Sequence, residues 1–268
     1  MTRTVVGLLG AGSMGAAVGH RLTQKGARVL TTLEGRSEAS IARAREAGIE
    51  DASPDRFAEC DFILSIVPPA VAVESAHRLA PVLARAARKP LYVDCNAVSP
   101  ATVKRVAEAL DVPFVDGAII GLPSAPKFYV SGPQAHRTLA LADAGLDVHV
   151  LDGPVGAASA LKMSYAGITK GLTAIGAAMS LAALRNGAGD ALFDELSASQ
   201  PELAKWLANS VPRMPPKAYR WVAEMEEIAG FIGDEHAEHR IYEGAAGLYE
   251  RLAQDKDATD ALKQFFER

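Results

Sequence analysis

The stretch Thr4-Val5-Val6-Gly7-Leu8-Leu9-Gly10-Ala11-Gly12-Ser13-Met14-Gly15 decides the fold. An apolar run ends in Gly-x-Gly-x-x-Gly and passes directly into a helix-like segment, residues 14–25, stopped by Gly26. Each glycine answers a physical need: Gly10 a tight turn, Gly12 close approach of a pyrophosphate to the backbone, Gly15 close packing of helix on strand. Ser13 and Met14 stand at the helix start, where unpaired N–H groups and a partial positive charge favour phosphate. A second strand candidate follows at residues 28–33. The motif therefore sits in a strand–turn–helix–strand unit and predicts a dinucleotide site rather than an ordinary glycine turn.

Outward from this unit, strand-like and helix-like segments alternate through the first half of the chain. Strands are predicted at residues 5–9, 28–33, 62–67, 91–94, 114–120, 128–131 and 148–151. Ser37 precedes an Ala/Arg-rich helix that ends at Gly48, and Ser99-Pro100 places a capping residue before a proline at the first helical position. Apolar runs such as Phe62-Ile63-Leu64-Ser65-Ile66-Val67 suit a parallel sheet covered on both faces. After Asp152-Gly153-Pro154 the pattern changes, and residues 157–184 read as one helix about 40 Å long at 1.5 Å per residue. The remainder shows helical periodicity and no strand alternation. The expected class is α/β, with an N-terminal Rossmann doubly wound parallel sheet (1–153), a long interdomain helix and an all-α C-terminal domain (154–268).

Composition narrows the setting. The 268 residues are 49% hydrophobic and 22% charged, with a net charge of −4, as in a soluble globular protein without a nucleic-acid or anionic-membrane partner. Cys60 and Cys95 have no metal-ligand spacing and form no disulfide framework, which points to a reducing cytoplasm. No signal-peptide pattern opens the chain, and the low-charge run 171–184 is too short to span a bilayer. His236 and His239 lie three apart among charged residues and read as a solvated helical face, so no metal is expected.

The chain resembles the β-hydroxyacid dehydrogenase superfamily, which includes 6-phosphogluconate and 3-hydroxyisobutyrate dehydrogenases, and within it the branch with a short helical C-terminal domain. The likeness rests on the glycine motif, on Ser65-Ile66-Val67-Pro68-Pro69, on Asp94-Cys95-Asn96-Ala97-Val98-Ser99-Pro100, on Asp116-Gly117-Ala118-Ile119-Ile120-Gly121, and on Lys162 early in the long helix. It implies an enzyme that moves a hydride between a nicotinamide cofactor and a small β-hydroxy acid or its keto form, built as a homodimer through the helical domain. It also implies that Gly10, Gly12, Ser13, Met14, Gly15, Val67, Pro68 and Asn96 serve the cofactor, and that Lys162 exchanges the proton. Departures from the better-known members are plain. Asp94-Cys95-Asn96-Ala97 stands where they carry Asp-x-Ser-Thr, Ile120-Gly121-Leu122-Pro123 replaces their Ser-Gly-Gly turn, and Tyr165-Ala166 follows Lys162 where they have His-Asn or Asn-Asn. The substrate is therefore expected to be neither 6-phosphogluconate nor 3-hydroxyisobutyrate.

Hydride transfer creates or removes an alkoxide, so a nearby proton donor or acceptor lowers the barrier. Lys162 is the first candidate, against the bland reading of a solvated helix lysine. Tyr165, one turn on along the same face, is the second candidate or a packing tyrosine. Asn96, at a strand end, would bond the nicotinamide amide or a substrate carboxylate, or form a turn. Gly121 would let a ligand approach or only shape a turn, while Ser124 and Lys127 in the same loop are weaker anion contacts. Lys170 is either structural or a substrate-anion contact. Arg220, Glu224 and Met225 lie where family members place substrate contacts, with no role carried over.

The ribose selector lies after the second strand. Leu33 occupies the position expected for an acid in NAD-type sites, and Glu34-Gly35-Arg36-Ser37 follows. Arg36-Ser37 resembles the turn that holds the 2′-phosphate in NADP-using relatives, whereas Glu34 would favour a bare 2′-hydroxyl. NADP is expected, with NAD as the alternative. Imine reduction on the same scaffold and a non-catalytic NADP-binding role are the competing readings, and Lys162 counts against the former because those relatives often lack the lysine.

Overall fold

The computed structural model describes residues 3–267. They divide into two compact units, with the division after Lys162.

The first unit runs β1 (Val5–Leu9), α1 (Ser13–Gln24), β2 (Arg28–Thr31), α2 (Glu38–Glu46), β3 (Glu50–Asp51), β4 (Phe62–Ser65), α3 (Ala72–Ala84), β5 (Leu91–Asp94), α4 (Pro100–Glu108), β6 (Phe114–Ile120), β7 (Lys127–Ser131), α5 (Leu139–Asp143) and β8 (Asp147–Val150). The strands form one sheet in the order β3-β2-β1-β4-β5-β6-β7-β8. The chain leaves β1 towards β2 on one side and returns to β4 on the other, so a crevice opens at the strand ends between β1 and β4. Two apolar layers cover the sheet. Leu8, Val29, Leu64 and Val93 face one, and Leu30, Ile63 and Tyr92 face the other, as expected of strands buried on both sides.

Two features depart from the sequence expectation. The sheet is parallel except that β7 runs antiparallel to β6. Only six residues join these strands, fewer than a parallel crossover requires. The edge strand β3 was not expected, because Glu50 and Asp51 are exposed polar residues without an apolar signature.

Helix α6 (Ala157–Arg185) starts in the first unit and continues into the second, which adds α7 (Gly189–Ser199), α8 (Pro201–Ser210), α9 (Ala218–Ile232), α10 (His239–Leu252) and α11 (Lys256–Phe266). No strand occurs among the described residues of 163–267. Glycines on α6 allow close approach: the Tyr242 ring lies 3.4 Å from where a Cβ would stand at both Gly167 and Gly171. Trp221 on α9 meets Tyr249 on α10 edge to face, and Phe193 meets Phe265 in the same way. The run 171–184 is too short for a bilayer, but α6 as a whole is long and apolar enough to cross one by length and composition, with 39% of its most apolar window buried.

Candidate functional site

The glycine turn has the geometry its sequence demands. Gly10 takes φ +92°, and a Cβ there would stand 2.3 Å from the Ile66 carbonyl oxygen. A Cβ at Gly15 would stand 1.9 Å from the Gly10 oxygen, so α1 packs on the turn only because that side chain is missing. Gly12 differs from both. It is the N-cap of α1, no side chain caps the helix, and a Cβ at Gly12 would meet nothing within 4 Å. No acidic residue lies in the first turn of α1. The N–H groups around Ser13 and Met14 thus face open space at the positive end of a helix, which fits a pyrophosphate.

Neighbouring strand ends complete this edge. The Val67-Pro68 turn after β4 lies beside the glycine loop, with Val67 Cγ1 3.2 Å from the Cβ position of Gly10. Asn96 holds that turn. Its Oδ1 accepts from Val67 N at 2.7 Å, its Nδ2 donates to Ser65 Oγ at 3.0 Å, and its own N donates to Asp94 Oδ1 at 2.9 Å. Asn96 is only 2% exposed, so its amide ties the ends of β4 and β5 together and shapes, through Val67, the edge beside the glycine loop. Asp94 is fully buried, and its Oδ2 has no hydrogen-bond partner. Burial pushes its carboxyl up to about 7; the hydrogen bond from Asn96 pulls it down and the Asp116 charge raises it further.

Beyond β2, Arg36 and Ser37 are exposed in the turn leading to α2. Ser37 caps α2, its Oγ accepting from Ser40 N at 3.3 Å. A cleft of about 390 Å³ opens here, with Leu33, Glu34, Arg45 and Asp51 on its wall. Gly121 follows β6 with φ +110°, and a Cβ would approach the Ala125 oxygen to 2.7 Å, so the turn itself requires glycine. Ser124 and Lys127 are exposed, and the Ser124 carbonyl accepts from Arg21.

Lys162 is half-buried, and its Nζ donates to the Ile119 carbonyl at 2.7 Å. That bond places the ammonium at the carboxyl end of β6, on the same edge of the sheet as the glycine loop. In the second unit, Tyr165 is half exposed, at 51%. Lys170 is paired with Glu224, both side chains being less than a fifth exposed, and lies 5.1 Å over the Trp221 ring. Tyr249 donates from its hydroxyl to the Lys170 carbonyl. Burial lowers the Lys170 ammonium while Glu224 raises it. The sequence pointed to the Lys170 position but gave no sign of its partner, because the two residues lie 54 apart. Met225 is buried in the core. The histidine reading needs correction: His236 precedes α10 and His239 opens it, and the His239 side chain is only 12% exposed, against the Glu243 carboxylate. No His/Cys/Asp/Glu cluster suited to a metal occurs among the described residues.

Comparison with known proteins agrees with this geometry. Residues 5–122 match the NAD-binding domain of 6-phosphogluconate dehydrogenase, and residues 183–252 match a domain of unknown function, DUF1932. An uncharacterised 28.5 kDa protein of Methanothermus fervidus is 32% identical over 174 residues, covering 63% of this chain and 67% of its own. A 3-hydroxyisobutyrate dehydrogenase of Pseudomonas aeruginosa is 29% identical over 237 residues, covering 80% and 76%. Among solved structures, a conserved protein of unknown function described as structurally similar to 3-hydroxyacid dehydrogenases superposes with TM-score 0.73 and 29% identity, covering 96% of this chain and 99% of that one. The chain belongs to the β-hydroxyacid dehydrogenase superfamily of NAD(P)-dependent dehydrogenases, in the branch that joins a 6-phosphogluconate dehydrogenase-like NAD-binding domain to a DUF1932 domain.

The buried Asp94 gives a pH signature. Its raised carboxyl stabilises the fold fully below its ordinary value near 3.8, and that stability is lost as pH rises through about 7. Displacing a carboxyl's titration by one pH unit corresponds to about 1.4 kcal/mol. Asp94→Asn, which keeps an acceptor for Asn96 N and cannot ionise, is expected to gain thermal stability over the wild type progressively between pH 4 and pH 8. A midpoint difference that stays constant across that range would contradict the burial argument.

Proposed function

We propose that the protein is an NADP-dependent oxidoreductase acting on a small β-hydroxy acid or the matching keto acid, with Lys162 as the group that gives and takes the proton. The observation that carries this reading is the bond from Lys162 Nζ to the Ile119 carbonyl, which holds an ammonium at the same sheet edge as the uncapped start of α1. When bound, the nicotinamide supplies the hydride acceptor or donor. The chain does the rest. Ser13, Met14 and the N–H groups beside Gly12 bind the pyrophosphate, Arg36 and Ser37 meet the 2′-phosphate, and Val67 and Pro68, braced by Asn96, form the wall beside the ring. The Lys162 ammonium donates its proton at Nζ to a developing alkoxide, or the neutral amine removes it from a hydroxyl. Tyr165 and Gly121 remain candidates for substrate contact. The Lys170 charge is matched by Glu224, which favours a structural role over capture of a substrate anion.

Small hydroxy and sugar acids screened with NADP and NAD, read as reduced nicotinamide absorbance, test this function. With a substrate in hand, Lys162→Ala is expected to lower turnover by roughly 10²–10⁴ while leaving cofactor affinity nearly unchanged. Lys162→Arg is expected to rescue little, since a guanidinium keeps its proton at working pH. Full activity in Lys162→Ala would end the proton-transfer assignment and turn attention to Tyr165. Cofactor binding without turnover on any acid would favour the non-catalytic reading.

A homodimer is part of the same proposal. Tyr165, Ile168, Leu172, Ile175 and Met179 are all exposed on α6 at alternating spacings of three and four, which aligns them in one apolar stripe. A stripe of this kind on a soluble chain calls for a partner, and a second copy can present the same stripe in return. Light scattering at micromolar protein is expected to give twice the chain mass, and Ile168→Glu with Ile175→Glu to halve it. A wild-type monomer would contradict the proposal.

A further inference from the structure

Asp116 joins β6 to the start of α6. Its Oδ2 accepts from Ser131 Oγ at 2.9 Å, Gly156 N at 2.9 Å and Ser159 N at 3.0 Å, and its Oδ1 accepts from Ser159 Oγ at 2.6 Å. Ser131 is the register partner of Asp116 across the antiparallel β6–β7 pair, and its Oγ in turn accepts from Ala158 N at 3.0 Å. Three backbone N–H groups at the start of a 29-residue helix are therefore answered by one carboxylate and the hydroxyl beside it. The negative charge also faces the positive end of that helix. Gly156 makes the approach feasible with φ +108°. One turn further on, Lys162 bonds to Ile119, three residues along the same strand.

Strand β6 and the first turn and a half of α6 are thus fastened at two points, one at Asp116 and one at Lys162. We propose that Asp116 is the positioning residue for Lys162: it fixes the register of α6 on β6 so that Nζ reaches the strand-end carbonyl. This deepens the proposed function and rests on it for its catalytic meaning, while the positioning can be measured without any substrate. Four accepted hydrogen bonds require an acceptor on both carboxyl oxygens. Asn at this position would set an NH₂ group against donors. Burial raises the Asp116 carboxyl and the hydrogen bonds from Ser159, Ser131 and Gly156 lower it, in keeping with their serving the ionised form.

The test is pulse labelling of the intact protein with acetic anhydride, read residue by residue by mass spectrometry, on the wild type and Asp116→Asn. Releasing the first turn of α6 is expected to raise Lys162 labelling about tenfold, with Lys89 and Lys170, whose ammonium groups are also held by hydrogen bonds, unchanged. Hydrogen exchange is expected to show lost protection confined to residues 156–162. Unchanged labelling of Lys162 would overturn the proposal, as would equal increases at all three lysines, which mean general destabilisation. Should Asp116→Asn fail to fold, Ser159→Ala, which keeps the carboxylate and removes one hydroxyl donor, is expected to raise Lys162 labelling in the same direction by a smaller factor. Where turnover is found, Asp116→Asn should lower kcat and leave the cofactor KM unchanged, and add nothing in a Lys162→Ala background. A wild type without turnover would count against the proposed function, and the labelling result would still decide the positioning role.

Discussion

The start of every helix leaves N–H groups without partners, and four helix starts of the first unit and its continuation, those of α1, α2, α4 and α6, position the candidate site by how they are answered. At α2 and α4 the hydroxyls of Ser37 and Ser99 accept from the backbone three residues on. At α6 the Asp116 carboxylate and the Ser131 hydroxyl accept from three backbone donors, which fastens a 29-residue helix to the sheet. At α1 no side chain accepts: the cap is Gly12, and the space above it is open. At the sheet's carboxyl edge, the uncapped start of α1 has the position and the glycines that suit a pyrophosphate. The sealed start of α6 is what holds Lys162 at that edge.

Local chemistry made much of this legible in the sequence. The glycine motif, the apolar strands and the Ser99-Pro100 cap are short-range signals, and the structure places β6 at Phe114–Ile120 and α6 at Ala157–Arg185 within a residue of the expected bounds. Illegible features depend on contacts between distant residues or on turn length. The reversal of β7 follows from the short link 121–126, and it is that reversal which brings Ser131 opposite Asp116. The use of the Asn96 amide within the protein needs the neighbouring strand end at Val67, 29 residues away. A lone Asn after a strand reads equally well as a ligand contact.

The second unit has a different logic. Its helices approach closely through glycine and alanine on α6, and within that apolar setting one charged pair, Lys170–Glu224, lies beside Trp221. Breaking such a pair leaves an unmatched charge out of water, so replacing either partner alone is expected to destabilise the second unit.

In the proposed function, the open start of α1 and the Arg36-Ser37 turn together hold a phosphorylated dinucleotide. Calorimetric titration of the wild type and Arg36→Ala with NADP and NAD tests it most directly. The wild type is expected to bind NADP more tightly than NAD, and Arg36→Ala to lose that preference. Tighter binding of NAD by the wild type, or an unchanged preference in the variant, would contradict it.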